Sequence, residues 1–274
     1  MVGRTVASVV AAGTAWVVYR GGARRPPGGV ARWTRRNHRG ESVTLWGGPS
    51  VAAGSLAGLA VQPGLPGRVR FAGLLVGATA ATLGCYDDLA GGGDAKGLRG
   101  HVGSLRRGEL TTGGAKLVGI GSAGLVAGAL TRPRGDGVVN RLLAGVLVAG
   151  AANLVNLLDL RPGRATKVVV VSAVPALAVR GTAGDCLAAP VGAALALLPA
   201  DLAEQTMLGD AGANCLGALL GVAAAAGLRR RRTLAVVTVT VAALTLVSER
   251  VSFTAVIDAT PGLRDLDRLG RRPA

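Results

Sequence analysis

Long apolar stretches alternate with short polar segments along the whole chain. A membrane-crossing helix needs about 20 largely apolar residues, so each long stretch predicts one transmembrane span. The predicted spans are 4–19, 45–63, 69–87, 113–130, 138–158, 166–180, 184–200, 211–228 and 233–251. The pattern therefore predicts an all-α, polytopic integral membrane protein with about nine or ten transmembrane helices.

The residue composition favours a membrane protein over a water-soluble one. The chain of 274 residues is 50% hydrophobic but only 3% aromatic, so a soluble core would consist almost entirely of Ala, Val, Leu and Gly. Its 44 glycines are typical of transmembrane helices, whose backbones approach closely at small residues. We predict a single transmembrane domain over residues 1–258, followed by a short cytoplasmic polar tail over residues 259–274.

The charge of the chain indicates which partners to expect. Its net charge is +16, from 31 Lys plus Arg against 15 Asp plus Glu. Such an excess attracts anionic head groups and lipid phosphates at a membrane surface. The basic residues are not interleaved with aromatic side chains, so nucleic acid is not expected as a partner.

Arginine-rich loops predict the orientation in the membrane. Residues 20–39 carry seven arginines, so we expect this loop on the cytoplasmic side of the plasma (inner) membrane. Counting spans from there puts residues 87–113, 158–167 and 201–210 on the same side. The four consecutive arginines at 229–232 fall on the opposite side, so either one span is miscounted or this loop is an exception. The count therefore brings polar segments from separate helices to one membrane face.

The first of these segments, "LGCYDDLAGGGDAKGLRGH", places Asp87 and Asp88 at the end of a span. A carboxylate at the bilayer centre costs about 2.5–3.5 kcal/mol, and two adjacent ones repel each other unless a cation is present. Mg²⁺ supplies such a cation and prefers oxygen ligands. Alternatively, both acids simply end a helix at the interface, although acids at a helix C-terminus oppose the macrodipole.

The second segment is "ANLVNLLDLRPGRATK", in which Asn153 and Asn156 share a helix face and Asp159 follows. Amides in an apolar span are costly without partners. They either form hydrogen bonds between helices or bind a polar ligand and orient a carboxylate.

The third segment is "MLGDAGANCLG", where Asp210 opens an apolar span. Asp210 is either a helix N-cap or a metal ligand beside backbone amides that suit phosphate. Lys96 follows a glycine-rich stretch that lacks the spacing of a P-loop, so it either pairs with a diphosphate or stays solvated. We expect Asp87, Asp88, Asp159 and Asp210 to gather round one divalent ion.

Together and in this order, the three segments resemble the polyprenyl-phosphate N-acetylhexosamine-1-phosphate transferases, the MraY/WecA-like group of glycosyltransferase family 4. "GCYDDLAGGGDAKGL" resembles the family's Gly-x-x-Asp-Asp segment and the Lys-Gly-Leu element after it. "NLVNLLD" resembles its Asn-x-x-Asn-Leu-x-Asp segment, and "MLGDAGANCLG" resembles its Met-Gly-Asp-x-Gly-Ser-x-x-x-Gly segment. "RRNHRGESVTLWGG" resembles the polar loop before the second core helix, so the resemblance covers about residues 30–250.

The resemblance implies a phosphoglycosyltransferase with a cytoplasmic active site. Such an enzyme transfers a sugar-1-phosphate from a UDP-sugar to the lipid polyprenyl phosphate, releases UMP, and uses Mg²⁺ or Mn²⁺ as its cofactor. The reaction serves peptidoglycan-type or other cell-envelope (cell wall) glycan synthesis. A homodimer is compatible with this interpretation.

The resemblance also implies roles for individual residues. Asp87, Asp88 and Asp159 would be the catalytic acids, and one of the first two would activate or replace the lipid-phosphate nucleophile. Asp210 would be the Mg²⁺ ligand. The substrate-binding residues would be Lys96 for phosphate, with Asn153 and Asn156 for the nucleotide.

Two other functions remain open at the level of sequence. The family carries a histidine-rich motif in its last cytoplasmic loop, whereas this chain has only His38 and His101. The alternative is therefore a catalytically inactive paralogue that binds polyprenyl phosphate or envelope-assembly partners. A transporter with intramembrane acids is disfavoured, because the acids cluster at one face and not at mid-span.

Overall fold

The computed structural model describes residues 2–90 and 111–273, and over these residues the chain is mainly helical. Two short strands are present, β1 (Thr34–Arg36) and β2 (Ser42–Thr44). The described helices are α1 (Val2–Ala23), α2 (Val30–Trp33), α3 (Gly47–Val61), α4 (Gly67–Ala90), α5 (Thr112–Thr131), α6 (Val138–Leu158), α7 (Arg164–Ala178), α8 (Thr182–Leu202), α9 (Gly209–Gly227), α10 (Arg231–Ser248), α11 (Phe253–Ala259) and α12 (Pro261–Arg268).

Every predicted span coincides with a helix, which confirms an all-α, multi-pass membrane protein. Within the described residues, seven helices are long and apolar enough to cross a membrane: α1, α4, α5, α6, α8, α9 and α10. Helices α3 and α7 have 15 residues each. At 1.5 Å per residue they measure about 22 Å, less than the roughly 30 Å of a hydrocarbon core. The count of full spans in the described chain is thus lower than the predicted nine or ten.

Helix α9 forms the centre of the bundle. In an apolar stretch of 18 residues of this helix, 78% is buried inside the protein. The helix packs against α6, α4, α8 and α3. The packing is close because α9 presents glycines: a Cβ at Gly217 would overlap the Ala151 carbonyl, and one at Gly221 would crowd the Val148 Cα. Helix α9 is therefore closely surrounded by other helices of the chain.

Helix α10 is the most weakly packed of the long helices. Only 11% of its apolar stretch of 18 residues is buried inside the protein, and its main packing partner is α6. Large apolar side chains such as Val236 and Val239 are exposed along it, as expected for a helix that faces lipid. The sparse packing leaves a groove between α10 and its neighbours.

A β-hairpin stands where the sequence predicts only a loop. Strands β1 and β2 are antiparallel, with Arg35 opposite Val43. Thr44 continues the pairing into the segment before α9, since its carbonyl accepts the Met207 N–H at 3.0 Å. Strands of three residues leave no alternating pattern long enough to be recognised in a sequence. The hairpin connects the arginine-rich loop to the start of α9.

The predicted polar tail is folded onto the rest of the chain. It contains α12, which lies against the start of α7 through an ion pair between Arg164 and Asp267. Both side chains of this pair are buried. The sequence predicts this segment only as a short polar tail, because long-range pairing of this kind cannot be seen in a local sequence pattern.

Gly84 of α4 lies against the backbone of α9, and we expect Gly84→Ala to destabilise the protein. A Cβ at this position would overlap the Asp210 carbonyl, which is backbone and cannot rotate away. Overpacking of this kind costs about 1–3 kcal/mol. Thermal unfolding of the purified protein in detergent would measure it. Gly121→Ala is the matched control, because no atom lies within 4 Å of its added Cβ. Equal unfolding temperatures for the two variants would contradict the prediction.

Candidate functional site

The last turn of α4 carries the two adjacent acids, and they point to different partners. Asp88 accepts hydrogen bonds from the backbone N–H groups of Asp210 at 3.1 Å and Ala211 at 3.0 Å. Its own carbonyl accepts a hydrogen bond from Arg35, which brings a cation to the C-terminal end of α4. Neighbouring helical residues point about 100° apart, so Asp87 is directed elsewhere.

Asp88 supplies the N-terminal cap of α9 from another helix. The N-cap position is held by Leu208, whose side chain has no oxygen to accept a hydrogen bond. The orphan N–H groups of the first turn are satisfied by the Asp88 carboxylate instead. The interpretation of Asp210 as an N-cap is therefore wrong, since Asp210 is the second residue of the helix.

Lys116 joins the other two carboxylates. Its Nζ donates to Asp87 Oδ2 at 2.7 Å and also contacts Asp210 Oδ2. The three half-buried side chains come from α5, α4 and α9. An ammonium between two carboxylates neutralises much of their repulsion. We call Asp87, Asp88, Asp210 and Lys116 the acid–lysine cluster.

The sequence reasoning missed Lys116 as a site residue. The signal was present, because it is the one charged residue inside the apolar stretch 113–130. Ionisable residues within membrane spans are costly and are usually paired, so such a lysine indicates a buried partner. Its partners lie 29 and 94 residues away, which only the packing of the helices reveals.

Asp159 follows the end of α6 and faces the same region. The Gly209 N–H donates to it, one residue before Asp210. Burial raises the pKa of Asp159 well above its usual value, and the charges of Asp201, Asp210 and Asp88 raise it further. The four predicted acids thus converge at one end of the bundle, although Asp159 lies beside the acid–lysine cluster and not within the ion pairs.

The predicted substrate-binding residues have different positions. Asn153 donates to Thr245 Oγ1 of α10 at 3.5 Å, which favours the interpretation as a hydrogen bond between helices. The Asn156 carbonyl accepts the Asp159 N–H at 3.0 Å, so Asn156 precedes the acid by one helical turn. Lys96 lies outside the described residues.

An apolar groove leads to the acid–lysine cluster. Its volume is about 530 Å³, and it runs between α5, α6 and α10. Lys116 lies in its wall, together with a few further polar residues among many apolar ones. The lining includes Leu117, Ile120, Leu125, Val146, Leu157 and Leu246. The groove has the shape and polarity for a chain-like apolar ligand whose polar end meets Lys116.

A polar pocket adjoins Asp159. Its volume is about 290 Å³, and its lining includes the acids Asp159, Asp201 and Glu204. Asp201 is buried and accepts the Gly163 N–H at 3.1 Å. Arg36, His38 and Arg161 also line the pocket. We call this cavity the polar pocket.

Glu204 is held in an unusual backbone conformation. Its φ is +58°, a region that residues other than glycine rarely adopt. The buried carboxylate accepts a hydrogen bond from Asn37 and pairs with Arg39 Nε at 3.1 Å, and these contacts to the hairpin loop hold it in place. Burial and the charge of Arg161 lower the pKa of His38, although the charge of Glu204 opposes them. The lowered pKa favours a neutral imidazole at neutral pH.

The donor atoms of the cluster suit a hard cation, and the four-acid arrangement round one ion stays a prediction. Within the described residues, no three His, Cys, Asp or Glu side chains are arranged to hold a metal ion. Asp88 is engaged with backbone amides, whereas Asp87 and Asp210 direct oxygens to one point, the Lys116 ammonium. Mg²⁺ typically uses one or two carboxylates plus waters and substrate phosphates, so this pair fits it.

Comparison with known proteins leaves the family open. No protein-family model matches the chain, and no curated protein matches it significantly.

Proposed function

We propose that this protein transfers a sugar-1-phosphate from a UDP-sugar to polyprenyl phosphate and releases UMP. One observation carries the proposal: an apolar groove and a polar pocket both reach the converging acids, the first at Lys116 and the second at Asp159. This reaction requires such a pair of sites, because one substrate is a lipid phosphate and the other a nucleotide. Bringing two anions together requires positive charge between them.

The groove suits the lipid acceptor. Its walls are mainly apolar, and the weakly packed α10 would leave one side of it open to the bilayer. The Lys116 ammonium at its wall would pair with the lipid phosphate and hold it beside Asp87 and Asp210. The polyprenyl chain would remain in contact with apolar side chains and lipid.

The polar pocket suits the nucleotide sugar. Arg36 and Arg161 offer guanidinium donors to phosphate oxygens, which they can bind in pairs. The Asp201 and Glu204 carboxylates would accept hydrogen bonds from hydroxyl or amide N–H groups of the ligand. Asp159 lies between this pocket and the cluster, where the reacting phosphates would meet.

The chemistry is a displacement at phosphorus. An oxygen of the lipid phosphate forms a bond to the β-phosphorus of the UDP-sugar, and the bond from that phosphorus to the bridging oxygen breaks, so UMP leaves with the electron pair. The lipid phosphate is already anionic and needs no base. Asp88 acts as a positioning residue because its oxygens are bonded to α9, while Asp87 and Lys116 orient the nucleophile.

A divalent ion would complete this site. Asp87 and Asp210 would hold it, through the two oxygens that now converge on Lys116. When bound, Mg²⁺ or Mn²⁺ supplies further positive charge to the pyrophosphate group. Lys116 and the ion would then share the charge of the same phosphates.

The charge distribution supports a cytoplasmic site in the plasma (inner) membrane. The arginine-rich loop over residues 20–39, the hairpin and the C-terminal helices all lie at the end of the bundle that carries the acids. Loops rich in Lys and Arg are retained on the cytoplasmic side. UDP-sugars are cytosolic, so this orientation gives them access.

The direct test is UMP release by the purified protein with polyprenyl phosphate and a panel of UDP-sugars. We expect release with at least one sugar when Mg²⁺ is present. Chelation with EDTA should lower the rate at least about tenfold, because the metal stabilises the transferring phosphoryl group, and Mg²⁺ or Mn²⁺ should restore it. The absence of UMP release across a broad panel would overturn the proposal.

A second candidate is a paralogue that binds polyprenyl phosphate without turnover. Lys116 favours it, because the ammonium already neutralises Asp87 and Asp210 without a metal. The expected result is then saturable binding of polyprenyl phosphate with no UMP release and no effect of EDTA. Binding that depends on Mg²⁺ would speak against this candidate.

A further inference from the structure

Residues 261–273 form a strap across the end of the bundle that carries the acids. Its strongest attachment is Asp267 of α12, which accepts Arg164 Nε at 2.8 Å and Arg164 Nη2 at 3.0 Å. Both side chains are at most 4% exposed. A bidentate, buried pair of this kind fixes orientation, and losing one partner leaves a buried charge unpaired. We call these residues the C-terminal strap.

Further contacts attach the strap to the loop after Asp159. Lys167 Nζ donates to the Asp267 carbonyl at 2.7 Å. Arg271 Nε donates to the Pro162 carbonyl at 3.0 Å, and Arg271 Nη2 contacts Asp267. Pro162 lines the polar pocket, so the strap holds Arg271 against one of its lining residues, while Arg271 itself lines a neighbouring cavity beside α8.

The strap also contacts the hairpin loop on the other side of the pocket. Arg39 Nη2 donates to the carbonyls of Arg272 at 3.0 Å and Pro273 at 2.8 Å. Arg272 Nη1 donates to Glu41 at 2.7 Å. The strap therefore bridges the two loops that form the mouth of the polar pocket.

Three arginines lie in or beside the polar pocket. Arg36 and Arg161 line the pocket, and Arg271 is held on its neighbour Pro162. An arginine has five N–H donors, and the bonds of Arg36 and Arg161 to single carbonyls use few of them. The acids that line the pocket, Asp201 and Glu204, are buried. The mouth thus presents positive charge to the solvent.

We propose that Arg36, Arg161 and Arg271 form an anion site for a diphosphate group, and that the C-terminal strap completes it. Arg271 contributes a guanidinium and Asp267 is the positioning residue that holds it. The identification of the ligand as a nucleotide diphosphate rests on the proposed function. The anion site itself rests on the geometry of the arginines, and inorganic pyrophosphate shares the chemistry that it recognises.

Titration calorimetry on the full chain in detergent tests the proposal, with UDP and pyrophosphate as separate probes in the presence of Mg²⁺. Arg271→Ala should weaken binding of both probes by about tenfold to a hundredfold, since one charge-assisted hydrogen bond is lost. Arg264→Ala is the matched control, because Arg264 lies in the same strap, on α12, and pairs only loosely, with Asp265 at 3.9 Å. We expect the control to bind like the parent protein.

The strap's own role needs a second variant. Asp267→Asn should release the strap, which is measured as faster trypsin cleavage after the arginines of α12, and should weaken UDP binding as much as Arg271→Ala does. The double variant should bind no more weakly than either single one, because both changes remove the same interaction. If Asp267→Asn does not fold, Arg271→Lys takes its place. We expect this variant to retain part of the affinity for UDP and pyrophosphate.

The outcomes separate this proposal from the enzymatic function. Unchanged affinity of Arg271→Ala for both probes, or no binding of either probe by the parent protein, overturns the anion site. Pyrophosphate binding that Arg271→Ala weakens, without any UDP binding, supports the anion site but contradicts the nucleotide-sugar substrate. Weakened binding of both probes supports the proposal even if no acceptor lipid is turned over.

Discussion

Asp210→Asn is expected to reduce UMP release by about a hundredfold to a thousandfold, the effect typical of removing one charged group from the reacting centre. The Asp210 carboxylate contacts Lys116 and would hold the divalent ion together with Asp87. Asparagine keeps the size and the backbone contacts of the first turn of α9 but removes the negative charge. The measurement is the initial rate of UMP release at saturating UDP-sugar and lipid.

A matched control distinguishes this effect from a general loss of charge. Asp258→Asn removes an exposed carboxylate from α11 at the same end of the protein, and it should leave the rate unchanged. If Asp210→Asn has the unfolding temperature and the rate of the parent protein, Asp210 has no role in catalysis. Such a result would also remove the main support for a metal at this position.

Lys116→Met is expected to lower UMP release by a similar factor, about a hundredfold to a thousandfold, and to strengthen Mg²⁺ binding. Methionine keeps an apolar side chain in the span but removes the ammonium that contacts Asp87 and Asp210. The two carboxylates then lack their internal cation, so a divalent ion gains in affinity while the lipid phosphate loses its partner. Initial rates over a Mg²⁺ titration measure both effects.

The same variant has a signature in stability. Without metal, Lys116→Met leaves two neighbouring carboxylates unneutralised, so its unfolding temperature should fall, and Mg²⁺ should raise it more than in the parent protein. Val118→Met is the control, because it changes an exposed residue two positions along the same helix. If Lys116→Met responds to Mg²⁺ like the parent protein in both rate and stability, the ammonium and the metal do not share a site.

The arrangement of the acid–lysine cluster gives Asp87 and Asp88 different tasks despite their adjacency. Asp88 stabilises the first turn of α9 through two backbone N–H groups, where a carboxylate also complements the helix dipole. Asp87 contacts the lysine. A sequence places both acids at the end of a span, and helical geometry predicts that they diverge, but their partners depend on which helices pack there.

Sequence reasoning predicted which segments carry the acids but not the partners of their side chains. It identified the three segments that bear acids and predicted that they meet at one end, because the span count fixes where each helix ends. It expected four carboxylates round one ion, whereas one of them caps a helix and a lysine lies between two others. Lys96 remains a prediction, since it lies outside the described residues.

The sequence by itself determined the class of the protein and the position of its helices along the chain. Apolar length decides both, because a backbone in lipid must satisfy its hydrogen bonds within a helix. Only the tertiary structure decided the pairing of Lys116, the cap from Asp88 and the attachment of the strap through Asp267. These contacts join residues far apart in sequence, and the cap from Asp88 forms where Gly84 allows α4 and α9 to approach.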